Sequence, residues 1–416
     1  MPEDSQKSKV PEVTQTLKVS ADQIRLGMYI SKLDRSWLET PFLFQGFQVE
    51  NENDLETLRR ICDFVYIDVL KSYYLPEKSR SHPITDKLNK KAYKIKHAVE
   101  KEIDRAFRSY SGAKSAIGEL LERAKTGQSV SAKNVHGYVK ECVNSIEANP
   151  SALMWLTRIK HADQYTAEHC LNVGVLAIAF GRHLGVDKAD LEMLGLCGML
   201  HDVGKMRVSP DILNKPGRLS AEEFDHIKLH PFYAKEILEE DKTLPIEVLA
   251  AALSHHERPD GKGYPHGLRA DAVDFYTKVV SIVDAYDAIT SRRCYSHSET
   301  SATALKILYE NAGSQFDEKL VVKFIECIGV FPPGALVELS SGEVGVVLAA
   351  NPGNRLQPTV AIVRDKNKNP TQQRIVRLQD QSKEDGPPIR IRQVLIDGAY
   401  GIELELFTKN NVRIQL

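Results

Sequence analysis

The run Leu191–Leu200 (LEMLGLCGML) is almost wholly apolar and reads as a buried helix, yet it ends on His201-Asp202. Two adjacent side chains of metal-ligating type at the end of a buried helix are costly unless something binds them. Val203-Gly204-Lys205 follows, so the helix breaks and a cation stands beside the pair. The pattern recurs. Val248-Leu-Ala-Ala-Ala-Leu-Ser runs into His255-His256, and adjacent histidines cannot share one helical stripe but can both reach one centre from a helix end. Asp284 interrupts the apolar helix Thr277–Ile289, where a carboxylate is usually paired or metal-bound.

Two further histidine positions belong to the same stretch. His169 lies on a helix that continues into the apolar run Leu171–Phe180, where a lone histidine is more often a satisfied core residue than a ligand. Ser220 and Glu223 form a capping-box pattern at the start of a helix over 220–238. His226 and His230 fall on one face of it, with a kink expected at His230 because Pro231 follows. Either histidine is a candidate ligand, and both read equally as surface residues. Ten of the 13 histidines fall between His161 and His297, and histidine is the commonest side-chain ligand of transition metals.

Together these features offer His169, His201, Asp202, His230, His255, His256 and Asp284. Five imidazoles and two carboxylates suit Fe, Mn, Zn, Ni or Co and argue against Ca or a thiolate site. Seven ligands exceed the need of one ion. Two divalent transition metal ions bridged by one carboxylate would use them, and such pairs suit in-line displacement at phosphorus. Lys205, Lys262, Arg292 and Arg293 are candidate phosphate contacts, with plain surface charge as the alternative.

Composition removes several classes. Lys+Arg is 55 against 56 Asp+Glu, a balance that speaks against a dedicated nucleic-acid binder. The longest apolar stretch, Val173–Phe180, is far short of a membrane span, and the polar start MPEDSQKSKVPEV has no signal-peptide core. Cys62, Cys142, Cys170, Cys197, Cys294 and Cys327 form no CxxC pair and read as reduced thiols in a cytoplasmic protein.

The chain's 416 residues suit two or three domains. Residues 1–14 read as a disordered tail and 15–75 as a small N-terminal α/β domain, with strands at Met28-Tyr-Ile and Phe64-Val-Tyr-Ile. The aromatic segment Trp37–Phe47 reads as core of that domain rather than a ligand groove. Residues 76–148 read as a linker at 76–83 and a helical segment. Ile84, Leu88, Ala92, Ile95, Val99, Ile103, Ala106 and Tyr110 predict one helix, acting as a stalk, a dimer helix or a helix packed on its own domain. Further helices are expected over 115–125 and 131–148. Residues 149–330 are mostly helical. Phe331-Pro-Pro-Gly marks a break, and 331–416 reads as a β-rich module with runs at 335–339, 343–348, 359–363, 374–378 and 402–407.

The motifs His201-Asp-Val-Gly-Lys205, Asn214-Lys-Pro-Gly-Arg218, Ile227-Lys-Leu-His230-Pro, His255-His-Glu-Arg-Pro-Asp-Gly-Lys-Gly-Tyr-Pro265 and Asp284-Ala-Tyr-Asp-Ala-Ile-Thr-Ser together resemble the HD-GYP domain, a bacterial subfamily of the HD metal-dependent phosphohydrolases. The resemblance covers about residues 150–330. Residues around Leu26-Gly-Met-Tyr and Trp37–Phe47 look like the domain of unknown function often fused before it. The resemblance implies a mainly α protein with an HD-type helical bundle as its catalytic domain, and hydrolysis of cyclic di-GMP to linear pGpG and GMP by a metal-bridging hydroxide. It implies that His169, His201, Asp202 and Asp284 hold one metal, and that Asp202, His230, His255 and His256 hold the other. His201, Asp202 and Lys205 would be catalytic, Lys205 and Arg293 would contact substrate phosphate, and the Gly263-Tyr264-Pro265 loop would lie by the substrate and meet diguanylate cyclase (GGDEF) partners. Tyr165 stands where some members have a glutamate for a third metal, so two are expected. Ser296 replaces a second basic residue often found three after Arg293. Hydrolysis of another nucleotide, such as a cyclic GMP-AMP, and a non-catalytic cyclic di-GMP receptor are the alternatives. No membrane span and a possible homodimer complete the expectation.

Overall fold

A computed structural model describes residues 16–24, 28–36, 40–42, 46–49, 52–68, 88–89, 91–158, 165–215, 217–291, 299–351, 354, 356–380, 388–396 and 398–402. The chain divides into two units, residues 1–82 and 83–416. The expected tail over 1–14, the linker over 76–83, Trp37, Leu26-Gly27, Arg292, Arg293, Ser296 and the run 403–407 lie outside the described residues.

In the first unit, strands β1 (Thr16–Ser20), β2 (Tyr29–Leu33), β3 (Phe47–Gln48) and β4 (Phe64–Asp68) form an antiparallel sheet in the order β1-β4-β2-β3. Helix α1 (Glu52–Ile61) precedes β4 and buries Leu55 and Leu58, one turn apart. These join Ile24, Ile30, Leu33, Val65 and Ile67 in one core, with Phe42 and Phe47 packed on it and their rings stacked at 4.5 Å. The described aromatic rings of that segment, Phe42 and Phe47, therefore pack on the core.

The second unit is a helical bundle followed by a sheet. Its helices are α2 (Val99–Lys125), α3 (Lys133–Ala148), α4 (Pro150–Leu156), α5 (Tyr165–Leu184), α6 (Lys188–Leu200), α7 (Pro210–Leu213), α8 (Ala221–Ile227), α9 (His230–Leu238), α10 (Ile246–Ser254), α11 (Phe275–Thr290), α12 (Ser301–Glu310) and α13 (Glu318–Ile328). Strands β5 (Leu336–Leu339), β6 (Val344–Ala349), β7 (Thr359–Arg364), β8 (Pro370–Arg377) and β9 (Ile391–Leu395) make an antiparallel sheet in the order β8-β7-β6-β5-β9.

Three expectations are corrected. Among the described residues, the helix foreseen from Ile84 starts at Val99, because Asn89 N–H and Lys91 N–H donate to the carbonyls of Leu184 and Gly185, and Lys96 N–H to that of Ala148. Tertiary backbone bonds take the donors a helix would use. The single helix over 220–238 is two: the capping box of Ser220 and Glu223 starts α8, the helix stops at Lys228, and α9 opens at His230 with Pro231 in its first turn, where a missing N–H costs nothing. Among the described residues the last strand of the sheet is β9, where the sequence pattern predicts none.

Antiparallel α5 and α6 lie in backbone contact. A Cβ on Gly198 would sit 2.7 Å from Gly174 Cα, and one on Gly174 would sit 2.4 Å from Met199 Cγ. These glycines let the start of α5 press against the end of α6. That places His169 beside His201.

Candidate metal centre

Five elements deliver the seven ligand-type residues. His169 lies in the first turns of α5. His201 and Asp202 follow α6, and a 3-10 turn, Val203–Arg207, brings Lys205 back onto Asp202. His230 opens α9, His255 and His256 follow α10, and Asp284 sits inside α11. Gly204 is required for this arrangement. A Cβ there would lie 1.9 Å from the His230 carbonyl oxygen and 2.4 Å from Ala234 N. Only glycine lets the turn after His201-Asp202 pack against α9 and bring His230 to Asp202.

The imidazoles are pinned from behind. Nδ1 donates to the Gly198 carbonyl in His201 (2.8 Å), to that of Ile227 in His230 (2.7 Å) and to that of Ala252 in His255 (3.0 Å). In His169 it meets the Asp287 carboxylate at 2.8 Å. In each ring the other nitrogen, Nε2, therefore faces the interior of the site, the orientation metal-ligating histidines adopt. These nitrogens converge on Asp202. Its Oδ2 lies 3.5 Å from His169 Nε2 and 3.3 Å from His201 Nε2, and its Oδ1 lies 3.3 Å from His230 Nε2 and 3.7 Å from His255 Nε2. Asp284 Oδ1 lies 3.0 Å from His169 Nε2. Ligand atoms of Asp202, His230, His255 and His256 fall within 4.8 Å of one another, as do those of His169, His201 and Asp202 and those of His201, His255 and Asp284. All seven expected ligands are therefore brought together.

The residues fit a cation. His201 Nε2 and Asp202 Oδ1 are buried and have no hydrogen-bond partner. His230 Nε2 and His255 Nε2 face each other at 3.3 Å although both Nδ1 atoms serve backbone carbonyls, an opposition of lone pairs that a bound cation relieves. Nitrogen and carboxylate donors without thiolate suit a divalent transition metal. Electrostatics agree. Burial pushes the Asp202 carboxyl up, but Lys205 and His201 outweigh it and hold it well below the usual range. Asp284 is held low against burial by His169 and His201. Burial pulls His201 down, yet Asp202 and Asp284 raise it to about 10. Burial lowers His230 to about 3 despite Asp202.

The mouth is formed where exposure rises, at Asp284 (side chain 14% exposed) and Lys205 (20%). The Tyr264 ring stacks on His256, centroids 4.7 Å apart. Gly263 has no space for a Cβ, which would lie 2.5 Å from Arg258 N and from Glu257 Cα. Lys262 is exposed on the same loop, and its N–H donates to Asp260. His226 is exposed on α8 and stays outside the cluster. Arg293, with Arg292 and Ser296, lies outside the described residues, and the Tyr165 side chain is likewise not described.

Two functional residues escaped the sequence reading. Asp287, 2% exposed, orients His169 and accepts from the Ser291 hydroxyl. Its signal was available: it is a second carboxylate in the apolar α11, one turn past Asp284. Glu257 is buried and accepts the N–H groups of His266 (2.7 Å) and Leu268 (2.8 Å), which folds the Gly263-Tyr264-Pro265 loop back over the site. No local pattern marks it.

Histidine Nε2 atoms and carboxylates gathered at the heart of a helical bundle define an HD-type metal-dependent phosphohydrolase. Comparison with known sequences agrees. Residues 140–320 match the family described as HD domain, and residues 16–135 match a domain of unknown function, DUF3391. A cyclic di-GMP phosphodiesterase of Pseudomonas aeruginosa is 35% identical over 369 residues, 87% of this chain and 88% of that protein. A 3'3'-cGAMP-specific phosphodiesterase of Vibrio cholerae is 34% identical over 169 residues, 40% of this chain and 36% of that protein. The solved structure of an HDG"Y"P protein from Bdellovibrio bacteriovorus aligns at a TM-score of 0.46 and 21% identity, covering 74% of this chain and 98% of that one. The chain belongs to the HD-GYP family of HD-domain phosphohydrolases, with a DUF3391 domain ahead of the HD domain. Among the described residues no helix is long and apolar enough to cross a membrane.

Proposed function

We propose that this protein hydrolyses cyclic di-GMP, opening one phosphodiester to linear pGpG and cutting the second to release GMP. The observation that carries the reading is Asp202, whose two oxygens face two separate sets of imidazoles as a carboxylate shared by two ions would. In this reading His169, His201, Asp202 and Asp284 hold one divalent metal, and Asp202, His230, His255 and His256 hold the other. Such a pair supplies nucleophile activation at neutral pH and charge neutralisation on the entering and leaving oxygens.

The chain's own groups set the stage. Gly198, Ile227, Ala252 and Asp287 keep the four pinned imidazoles in the ligating tautomer before substrate arrives, so the site needs no reorganisation. Lys205, at the mouth, neutralises a non-bridging phosphate oxygen, and Arg293 is the second phosphate contact. Tyr264 holds the His256 ring in place. The loop of Gly263, Tyr264 and Pro265 borders the substrate and is the contact for diguanylate cyclase (GGDEF) partners. The catalytic region is 149–330, the flanking domains over 15–75 and 331–416 carry regulation or homodimerisation, and the reaction takes place in the cytoplasm.

Similarity to the Pseudomonas enzyme along most of both chains supports the substrate. The Vibrio relative, matched over 169 residues, favours a second reading in which a 3'3'-linked cyclic GMP-AMP is the substrate. The test is anaerobic purification, metal analysis, and incubation with each dinucleotide followed by chromatography. About two metals per chain and the appearance of pGpG and GMP are expected, with no product from the His201→Ala/Asp202→Ala double variant. Faster consumption of the cyclic GMP-AMP would transfer the assignment to the second reading. Full metal occupancy without product from either would leave a receptor.

A further inference from the structure

The match to DUF3391 runs to residue 135, but the structural division falls between residues 82 and 83. By sequence family α2 belongs to the first domain, and by packing it belongs to the catalytic bundle. It lies against α3, α4, α5 and the 203–207 turn that carries Lys205. Its inward face is mostly apolar, with Ala106, Ala113, Ile117, Leu120 and Ala124 buried. Among the polar side chains that interrupt this pattern, two land on α5 around His169. Lys114 forms an ion pair with Glu168, which is 4% exposed and immediately precedes the ligand. The buried Tyr110 hydroxyl donates to Asn172 Oδ1 at 2.7 Å, one turn beyond it.

Apolar packing tolerates small rotations of one helix against another. Buried polar contacts do not, because slipping them leaves donors and acceptors unpaired. Each residue of an α-helix advances by about 100° around the axis, so the rotation set at positions 168 and 172 is also the rotation of His169. Asp287 grips the imidazole from the α11 side, while Lys114 and Tyr110 grip the helix that carries it.

We propose that Lys114 and Tyr110 are positioning residues for His169, and that the DUF3391 helix α2 is a working part of the metal centre. The inference rests on the two-metal reading above.

The test uses the full-length protein and Mn2+ alone as the probe. Lys114→Met removes the charge and keeps the length, Tyr110→Phe removes one hydroxyl, and Lys114→Arg keeps the ion pair. Ser109→Ala removes a polar contact that α2 makes to Glu141 on α3 rather than to α5. Calorimetry reads affinity and stoichiometry, EPR reads whether two Mn2+ ions are exchange-coupled, and thermal melting monitors the fold. Lys114→Met is expected to weaken Mn2+ binding at one of the two sites by about 10–100-fold and to replace the coupled spectrum with that of a single ion. Tyr110→Phe should do the same to a smaller degree, Lys114→Arg should restore wild-type binding, and Ser109→Ala should keep it. Wild-type Mn2+ binding in both Lys114→Met and Tyr110→Phe would overturn the proposal. So would an equal loss of affinity in Ser109→Ala and Lys114→Met at equal melting temperature. Wild-type protein that takes up no Mn2+ would instead sink the two-metal reading, and this inference with it.

Discussion

Two buried carboxylates, one in the helical bundle and one in the C-terminal sheet, are treated differently. Glu338 on β5 is 6% exposed. Lys368 Nζ donates to one of its oxygens at 2.8 Å and Gln393 Nε2 to the other at 2.6 Å, with Arg392 nearby at 3.9 Å. The hydrogen bond from Lys368 is the main reason its carboxyl lies below the usual range. Asp202 is fully buried, and its Oδ1 has imidazole nitrogens around it but no hydrogen-bond partner. Both are charged groups taken from water. One is saturated by its own fold and serves stability. The other has Lys205 on Oδ2 alone, while Oδ1 faces imidazole nitrogens without a hydrogen bond and is left for a cation. Burial alone does not mark a functional carboxylate; burial with incomplete pairing does.

The largest effect that could break this contrast is at Asp202. Asp202→Asn should lower hydrolysis by roughly a thousandfold or more and reduce bound metal, while the metal-free chain melts within about 4 °C of wild type. Metal analysis, turnover and melting together decide it, and retained turnover would end the comparison. Next comes Asp287→Asn, which leaves the ligands in place but removes the carboxylate that fixes the His169 tautomer. Metal affinity should fall about 10–100-fold in a titration with Mn2+, and an unchanged affinity would mean that packing alone holds the ring. Glu338→Gln should behave in the opposite sense. It should cost about 1–2 kcal/mol of stability in chemical denaturation and leave turnover per folded molecule as in wild type. A loss of turnover there would tie the sheet to the reaction.

The smallest effect is a pH dependence. In the metal-free chain His201 is raised from 6.5 to about 10 by Asp202 and Asp284 against burial. A raised histidine contributes stability that is fully present below pH 6.5 and is lost as pH climbs through about 10. Metal loading displaces that proton, so melting temperature against pH should fall across this window without metal and stay flatter with it. Parallel curves would show that His201 is not the group that titrates.

Much of the site was legible because its signals are local. An apolar helix that stops on His201-Asp202, a pair His255-His256 after another, and Asp284 inside a third each conflict with burial in their own neighbourhood. Gly204 and Gly263 are legible as motif members, but their reason is tertiary: each is a backbone contact with no room for a Cβ. The runs that became β5, β6, β7 and β8 were readable from alternating or apolar character. β9 was not. Its sequence IRQVL is half polar, and only pairing with β5, Glu338 opposite Gln393 among others, makes it a strand.

The sequence by itself determined which side chains could ligate, where most of the bundle's helices and strands lie, and that burying those side chains demands a charged guest. Those are properties of one residue and its near neighbours. The tertiary structure decided the rest. It started α2 at Val99 by giving the preceding N–H groups to α3 and α5, split α8 from α9, turned Asp287 onto His169 across 118 residues of chain, and set Lys114 and Tyr110 of α2 on either side of that ligand. Hydrogen bonds between residues so far apart leave no periodicity in the chain. They depend on which helices touch and at what rotation, and only the folded packing fixes that.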